Sequence, residues 1–281
     1  MTIHTIAVCG AGTMGSGIAQ VAATAGFRTV LYELNSAVLE SAKSSIDKNL
    51  QTAIEKGKLD AGAKAGILGR LHFTSELNDC RADLVIEAIV EKPEVKINLF
   101  NELAAINTET TIFASNTSSL SISALASGIQ VPQRVAGLHF FNPAPLMKLV
   151  EVVKGEQTSE AVVQTLVELT RTFGKTPVVC KDAPGFIVNR VARPYYIEAL
   201  RLAENGVADF DTIDRLLESR GFKMGPFKLM DLIGNDINYA VSCSVYEQMG
   251  QPERLKPSHI QKQKVEQGDL GRKSKKGYYQ Y

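Results

Sequence analysis

Apolar and polar positions follow two periods along this chain, and the changes between them mark out its elements. Residues 5–9 (TIAVC) form a short apolar run rich in β-branched side chains, the pattern of a strand covered on both faces. After a glycine-rich break, Met14, Ile18, Val21, Ala22 and Ala25 recur at helical spacing until Gly26 stops the run. Residues 28–32 (RTVLY) read as the next strand, which ends at Glu33. The alternation continues with an alanine-rich polar helix over 36–56 and a glycine-interrupted helical piece over 60–70. Strands are predicted over 71–74, 82–90, 110–115, 134–140, 149–153 and 176–179. An amphipathic helix over 93–106 opens on Pro93, and another helix spans 159–173. Strands alternating with helices predict an α/β fold: a doubly wound, Rossmann-type, mostly parallel sheet with helices on both faces.

Beyond residue 179 the strand patterns stop. Lys181-Asp182-Ala183-Pro184-Gly185 is a turn-rich joint. From Phe186 onward the periodicity is helical, clearest over 211–220 and 234–249, and the tail from Pro252 is polar. Two domains are expected: 1–183 with the sheet, and a smaller all-α domain over 184–281.

Composition narrows the function classes. Apolar residues make up 44 % of the 281 and charged residues 22 %, ordinary for a globular chain. With 31 basic and 30 acidic residues the net charge is +1, which gives no electrostatic footprint for nucleic acid. Residues 5–27 carry no charge, but five glycines interrupt them and no Lys or Arg precedes them. They read as a buried strand–loop–helix rather than a signal peptide or membrane span, and no membrane partner is expected. Cys9, Cys80, Cys180 and Cys243 are scattered, without CxxC or HExxH spacing. Neither a metal site nor a disulfide framework is expected, and free thiols fit a cytoplasmic protein.

The candidate chemistry begins at Gly10-Ala11-Gly12-Thr13-Met14-Gly15. This GxGxxG directly follows a predicted strand and opens a helix, the context that makes it a dinucleotide fingerprint. Gly10 permits a tight turn, Gly12 leaves room for a diphosphate, and Gly15 lets helix and strand approach. Thr13 and Met14 complete the cofactor-binding turn at the helix N-terminus. Glu33, ending the second strand, suits the ribose hydroxyls and would repel a 2′-phosphate, which favours NAD over NADP.

Other polar residues sit where strands end. His139 closes an apolar strand, either as a catalytic base or as a half-buried structural residue. Ser115-Asn116-Thr117-Ser118-Ser119 follows another strand end and offers either ligand contacts or, at Ser118, Ser119 or the nearby Ser121, a cap for the helix after it. Glu151 interrupts Leu149-Val150-Glu151-Val152-Val153; a buried acid needs a partner, and a histidine is a natural one, unless the strand is a solvated edge. Asn189 lies in the apolar start of the first helix beyond the joint and either faces a crevice or packs locally.

In these motifs the chain resembles the 3-hydroxyacyl-CoA dehydrogenase family, most of all its bacterial 3-hydroxybutyryl-CoA members. The resemblance runs nearly end to end, through 8–20 (VCGAGTMGSGIAQ), 85–100 (VIEAIVEKPEVKINLF), 115–122 (SNTSSLSI), 137–153 (GLHFFNPAPLMKLVEVV), 182–190 (DAPGFIVNR), 225–236 (GPFKLMDLIGND) and 275–281 (KKGYYQY). It implies reversible, NAD-dependent oxidation of an (S)-3-hydroxyacyl-CoA to the 3-ketoacyl-CoA. His139 then matches the family's general base, Glu151 its paired acid, Ser118 the active-site serine and Asn189 the asparagine from the second domain. Glu33, Glu91 and Lys96 fall at cofactor contacts, and Asn116 beside substrate and nicotinamide. Lys56 and Asn49 fall at coenzyme A contacts, with Asn49 standing where some relatives carry serine. They are seven residues apart and so share a helix face. Lys43, Lys48, Lys58, Lys64 and Arg70 add positive charge nearby. The resemblance further implies a homodimer formed through the helical domain. Two other readings stand beside it. One is an NAD(H)-binding sensor or structural protein without catalysis. The other is a related hydroxyacid or onium-compound dehydrogenase that does not use coenzyme A.

Overall fold

The computed structural model describes residues 2–281. The chain divides into two compact units, one running to Asp182 and the other spanning Ala183–Tyr281. The first contains β1 (Thr5–Cys9), α1 (Thr13–Thr24), β2 (Arg28–Tyr32), α2 (Ser36–Glu55), α3 (Ala61–Gly69), β3 (Leu71–Thr74), β4 (Leu84–Glu87), α4 (Pro93–Ile106), β5 (Ile112–Ser115), α5 (Ile122–Ser127), β6 (Val135–Phe140), β7 (Leu149–Lys154), α6 (Glu160–Thr172) and β8 (Thr176–Lys181). Its strands form an eight-stranded sheet in the order β3-β2-β1-β4-β5-β6-β7-β8.

Connection length sets strand direction. Each strand from β1 to β6 is joined to the next by a helix or a long excursion, and these six run parallel. The link from β6 to β7 holds no helix, too little chain to carry a strand back to its starting edge, so β7 returns antiparallel. Helix α6 then provides a crossover, and β8 lies parallel to β7. Because β2 and β4 flank β1 on opposite sides, connections leave the carboxyl edge in opposite directions there. That divergence opens a crevice above β1 and β4, where ligands of such sheets bind. Ile6, Val8, Leu31, Ile86, Ala114, Leu138 and Val152 from the strands pack with Ile18, Ala22, Ile46, Val163 and Leu166 from the helices in one buried cluster.

One strand is shorter than its apolar run predicts. The run over 82–90 leaves the sheet after Glu87, because its neighbours end in the same register: Glu87 lies opposite Cys9 on one side and Ser115 on the other. The Ala88 N–H still donates to the Cys9 carbonyl at 2.8 Å, the last bond the neighbouring strands accept from this run. The Ile89 N–H instead donates to the Glu87 side chain at 2.8 Å.

The second unit holds α7 (Val188–Glu204), α8 (Phe210–Ser219), α9 (Pro226–Ile233), α10 (Asn235–Gln248) and α11 (His259–Glu266). Helices α9 and α11 are not evident from periodicity. The polar tail proves structured because Ser258 caps α11 and the last residues are gathered by buried Asp231. Its carboxylate accepts from the backbone N–H groups of Tyr278 and Tyr279, both at 3.0 Å, and from the Tyr281 hydroxyl at 3.1 Å. Among the described residues no helix is long and apolar enough to cross a membrane, and no cluster of side chains is arranged to hold a metal ion.

Candidate active site

The glycine turn separates what the fold requires from what a ligand would require. Gly10 has φ +99°, which L side chains rarely adopt, and a Cβ there would stand 2.5 Å from the Ala88 carbonyl oxygen. A Cβ on Gly15 would collide with the Gly10 carbonyl, so this glycine lets α1 sit against β1. Gly12 is different. Its φ of −64° suits any residue, and a Cβ there meets no protein atom within 4 Å. Nothing in the protein demands a glycine at that point, which is the exposed end of α1 and carries no side-chain cap. The unfilled space and the uncapped N–H groups suit a diphosphate.

Glu33 is held at the end of β2 by the Ala11 N–H at 3.1 Å and the Asn35 N–H at 3.0 Å. It borders a groove of about 250 Å³ whose apolar walls include Leu34, Ile89, Val95 and Leu99. These walls do not stand out in sequence, since an apolar residue just past a strand looks like more core. Together the groove, Glu33 and the Gly12 gap fit an adenosine diphosphate half of a dinucleotide.

Farther along the carboxyl edge, the antiparallel β6–β7 pairing sets His139 directly opposite Glu151. Directly paired residues project from the same face of a sheet, so the side chains must meet. The His139 Nδ1–H donates to Glu151 Oε2 at 2.7 Å. Glu151 is fully buried and His139 nearly so. Strand β7 lies between β6 and β8, so the solvated-edge reading of Glu151 does not hold. With Nδ1 committed to the carboxylate as a donor, the neutral imidazole carries its basic lone pair on Nε2. The Phe141 ring stands 4.5 Å from the imidazole, centroid to centroid.

A second network, buried at Lys96, Glu87 and Ser115, ties the serine-rich loop to the sheet. Lys96, 1 % exposed, donates to Glu87 at 2.5 Å and to Glu91 at 3.1 Å. Glu87 also accepts from the Ser115 hydroxyl at 2.6 Å. Glu91 accepts from the Thr117 hydroxyl at 2.5 Å and the Ser118 N–H at 3.1 Å. Burial pushes the Glu91 carboxyl up, but Lys96, Thr117 and Ser118 outweigh it and hold the group below the ordinary carboxylate value. Lys96 and Glu91 thus meet each other and the Ser118 loop. Glu87 is an addition to the sequence reading, and it carries the same signal as Glu151, an acid inside an apolar run. Ser121, rather than Ser118 or Ser119, caps α5, accepting from the Ala124 N–H at 3.1 Å. Asn116 bridges strand ends, its Oδ1 accepting from the Phe140 N–H at 2.9 Å.

The remaining predicted residues are spread more widely. Asn49 donates to Gln20 Oε1 at 3.2 Å and lines a cavity of about 130 Å³ with Thr13, Ser16, Asn142 and Pro145. Lys56 is exposed just past the end of α2. Of the other basic groups there, Lys64 is engaged by Asp47 at 2.8 Å and Arg70 by the Ala23 carbonyl at 3.4 Å. Asn189 stands in the first turn of α7 in the second unit, half-buried.

Comparison with known proteins identifies the family. Residues 5–183 match the family described as "3-hydroxyacyl-CoA dehydrogenase, NAD binding domain", and residues 185–281 match its C-terminal domain. The chain is 49 % identical to the 3-hydroxyadipyl-CoA dehydrogenase of Escherichia coli K12, over all of this chain but 60 % of that protein. It is 43 % identical to a probable 3-hydroxybutyryl-CoA dehydrogenase of Deinococcus radiodurans, over 98 % of this chain and 99 % of the relative. A crystal structure of 3-hydroxybutyryl-CoA dehydrogenase from E. coli K12 superposes with a TM-score of 0.96 at 49 % identity, covering all of this chain and 60 % of that one.

Proposed function

Because the chain belongs to the 3-hydroxyacyl-CoA dehydrogenase family, we propose that it oxidises the C3 hydroxyl of (S)-3-hydroxyacyl-CoA thioesters, reversibly, with NAD. The observation that carries this reading is the His139–Glu151 pair, buried and joined at 2.7 Å on the carboxyl edge of the sheet. NAD, when bound at the Gly12 gap and Glu33, supplies the hydride acceptor, which no side chain can. His139 takes the hydroxyl proton at Nε2. Glu151 fixes the ring and stabilises the imidazolium that results. Ser118 holds the substrate oxygen, on a loop that Glu91 fastens. Asn189 is assigned to the same oxygen on the resemblance. Asn116 lies beside it on that basis too, and Glu91 and Lys96 are assigned to the cofactor. Absorbance at 340 nm tests the proposal: NADH should be consumed with acetoacetyl-CoA, and NADPH far more slowly. Tight NADH binding with no oxidation would instead favour a sensor.

Asn49 and Lys56 are assigned to the coenzyme A portion. Lys56→Glu is expected to raise KM for the thioester about 3- to 10-fold, the scale of an exposed charge contact that changes sign. KM for NADH should stay put. An unchanged thioester KM would point to a substrate without coenzyme A.

We place the protein in the cytoplasm as a homodimer joined through the helical unit. Leu216, Phe222, Leu232 and Ile237 are about half exposed or more there, apolar side chains that a second copy would cover. Light scattering should give twice 30.5 kDa; a monomer would refute the assembly and leave the chemistry untouched.

A further inference from the structure

Helices α1 and α2 meet at a pair of amide side chains, and that contact fixes which atom one of them can offer a ligand. Gln20 is buried on α1, whereas Asn49 is exposed on α2. Asn49 Nδ2 donates to Gln20 Oε1 at 3.2 Å. The amide nitrogen is thus held against α1. The carbonyl oxygen, on the other branch of the amide plane, is left to accept.

The cavity of about 130 Å³ that Asn49 lines suits a neutral donor. None of its lining residues carries a charge, so nothing in its wall would balance a phosphate. The Ser16 hydroxyl in that wall donates to the Gly12 carbonyl at 2.9 Å, which leaves its oxygen, too, as an acceptor. The Thr13 and Ser45 hydroxyls can serve either way. Pro143, Ala144 and Pro145 supply an apolar wall. It closes on α1 at Gly17, where a Cβ would stand 3.1 Å from both Ala144 Cβ and Pro145 Cδ. Lys175 fixes this segment, donating to the Ala144 carbonyl at 2.6 Å and the Met147 carbonyl at 2.7 Å. Acceptors beside an apolar surface match a chain of methylenes and amide N–H groups. We propose that Gln20 is a positioning residue: it turns the Asn49 carbonyl oxygen toward the cavity, where that oxygen accepts from an amide N–H of the pantetheine arm of the thioester. This inference rests on the dehydrogenase reading and on the assignment of Asn49 to coenzyme A.

The test compares NADH oxidation with acetoacetyl-CoA and with acetoacetyl-pantetheine, which keeps both amide N–H groups and has no phosphate. Asn49→Ala should raise KM for both thioesters about 3- to 10-fold, the scale of one hydrogen bond, with KM for NADH unmoved. Asn49→Asp keeps the accepting oxygen and should recover most of that loss on the pantetheine thioester. Gln20→Leu should raise both thioester KM values as Asn49→Ala does, and Gln20→Glu, which still accepts from the Asn49 amide, should restore them. The double variant should be no worse than Asn49→Ala alone, because Gln20 acts through Asn49. A pantetheine KM unchanged in Asn49→Ala would overturn the proposal by placing the contact on the nucleotide. A pantetheine KM in Asn49→Asp as high as in Asn49→Ala would overturn it by making the amide N–H the contacting group. Additive losses in the double variant would make Gln20 merely structural and overturn it too. If Gln20→Leu does not fold, the two Asn49 variants and Gln20→Glu decide alone. Wild-type oxidation of NADH with acetoacetyl-CoA alongside any of these outcomes leaves the dehydrogenase reading standing; no oxidation with either thioester removes both.

Discussion

Replacing His139 with glutamine is expected to lower turnover roughly 10²–10⁴-fold, the contribution of a positioned general base. Glutamine is the informative replacement because it can still donate to Glu151, so the buried carboxylate is not left without a partner. An unpaired buried acid would destabilise the sheet and confuse the result. What glutamine lacks is a ring nitrogen with a basic lone pair. NADH affinity, followed by the cofactor's fluorescence, should change little, since the Gly12 gap and Glu33 belong to other strand ends. Near-normal turnover in His139→Gln would mean that another group removes the hydroxyl proton and that the imidazole is structural.

The second large effect is expected at Gly12. Gly12→Val should weaken NADH binding at least about 100-fold, a loss of roughly 2.7 kcal/mol, while thermal unfolding and circular dichroism stay close to wild type. The reasoning is steric on both counts. The backbone at Gly12 has φ −64° and ψ −172°, which valine adopts without strain, and its Cβ would enter space that no protein atom occupies. The cost therefore falls on the ligand and not on the fold. Gly15→Val should behave in the opposite way and fail to fold, because its Cβ would strike the Gly10 carbonyl. A Gly12→Val protein that binds NADH normally would remove the diphosphate from this turn.

These two sites differ in how far sequence discloses them. The glycine turn is legible because a strand, three spaced glycines and a helix are contiguous, and local rules suffice to place them. The roles read there for Gly10, Gly12 and Gly15 rest on motif rules, to which the coordinates add the steric difference between Gly12 and the other two. The His139–Glu151 pair needs one more fact, the antiparallel register of β6 and β7, which sequence suggests only through an acid inside an apolar strand. Glu87 carries the same signal, and its partners Lys96 and Ser115 come from a helix and a neighbouring strand whose register is not local information. The tail is the clearest miss. Residues 277–281 read as polar and terminal, yet Asp231 collects two of their N–H groups and a hydroxyl, an arrangement that no periodicity announces.

The chemistry itself is open to a single direct measurement. (S)-3-Hydroxybutyryl-CoA carrying deuterium at C3 is incubated with the protein and NAD, and the reduced cofactor is analysed by mass spectrometry. One deuterium per reduced cofactor is expected, with the (R) thioester transferring none. A 3-keto product formed while the label stays out of the cofactor, or no product with the nucleotide plainly bound, would contradict hydride transfer from C3 and the role given to His139.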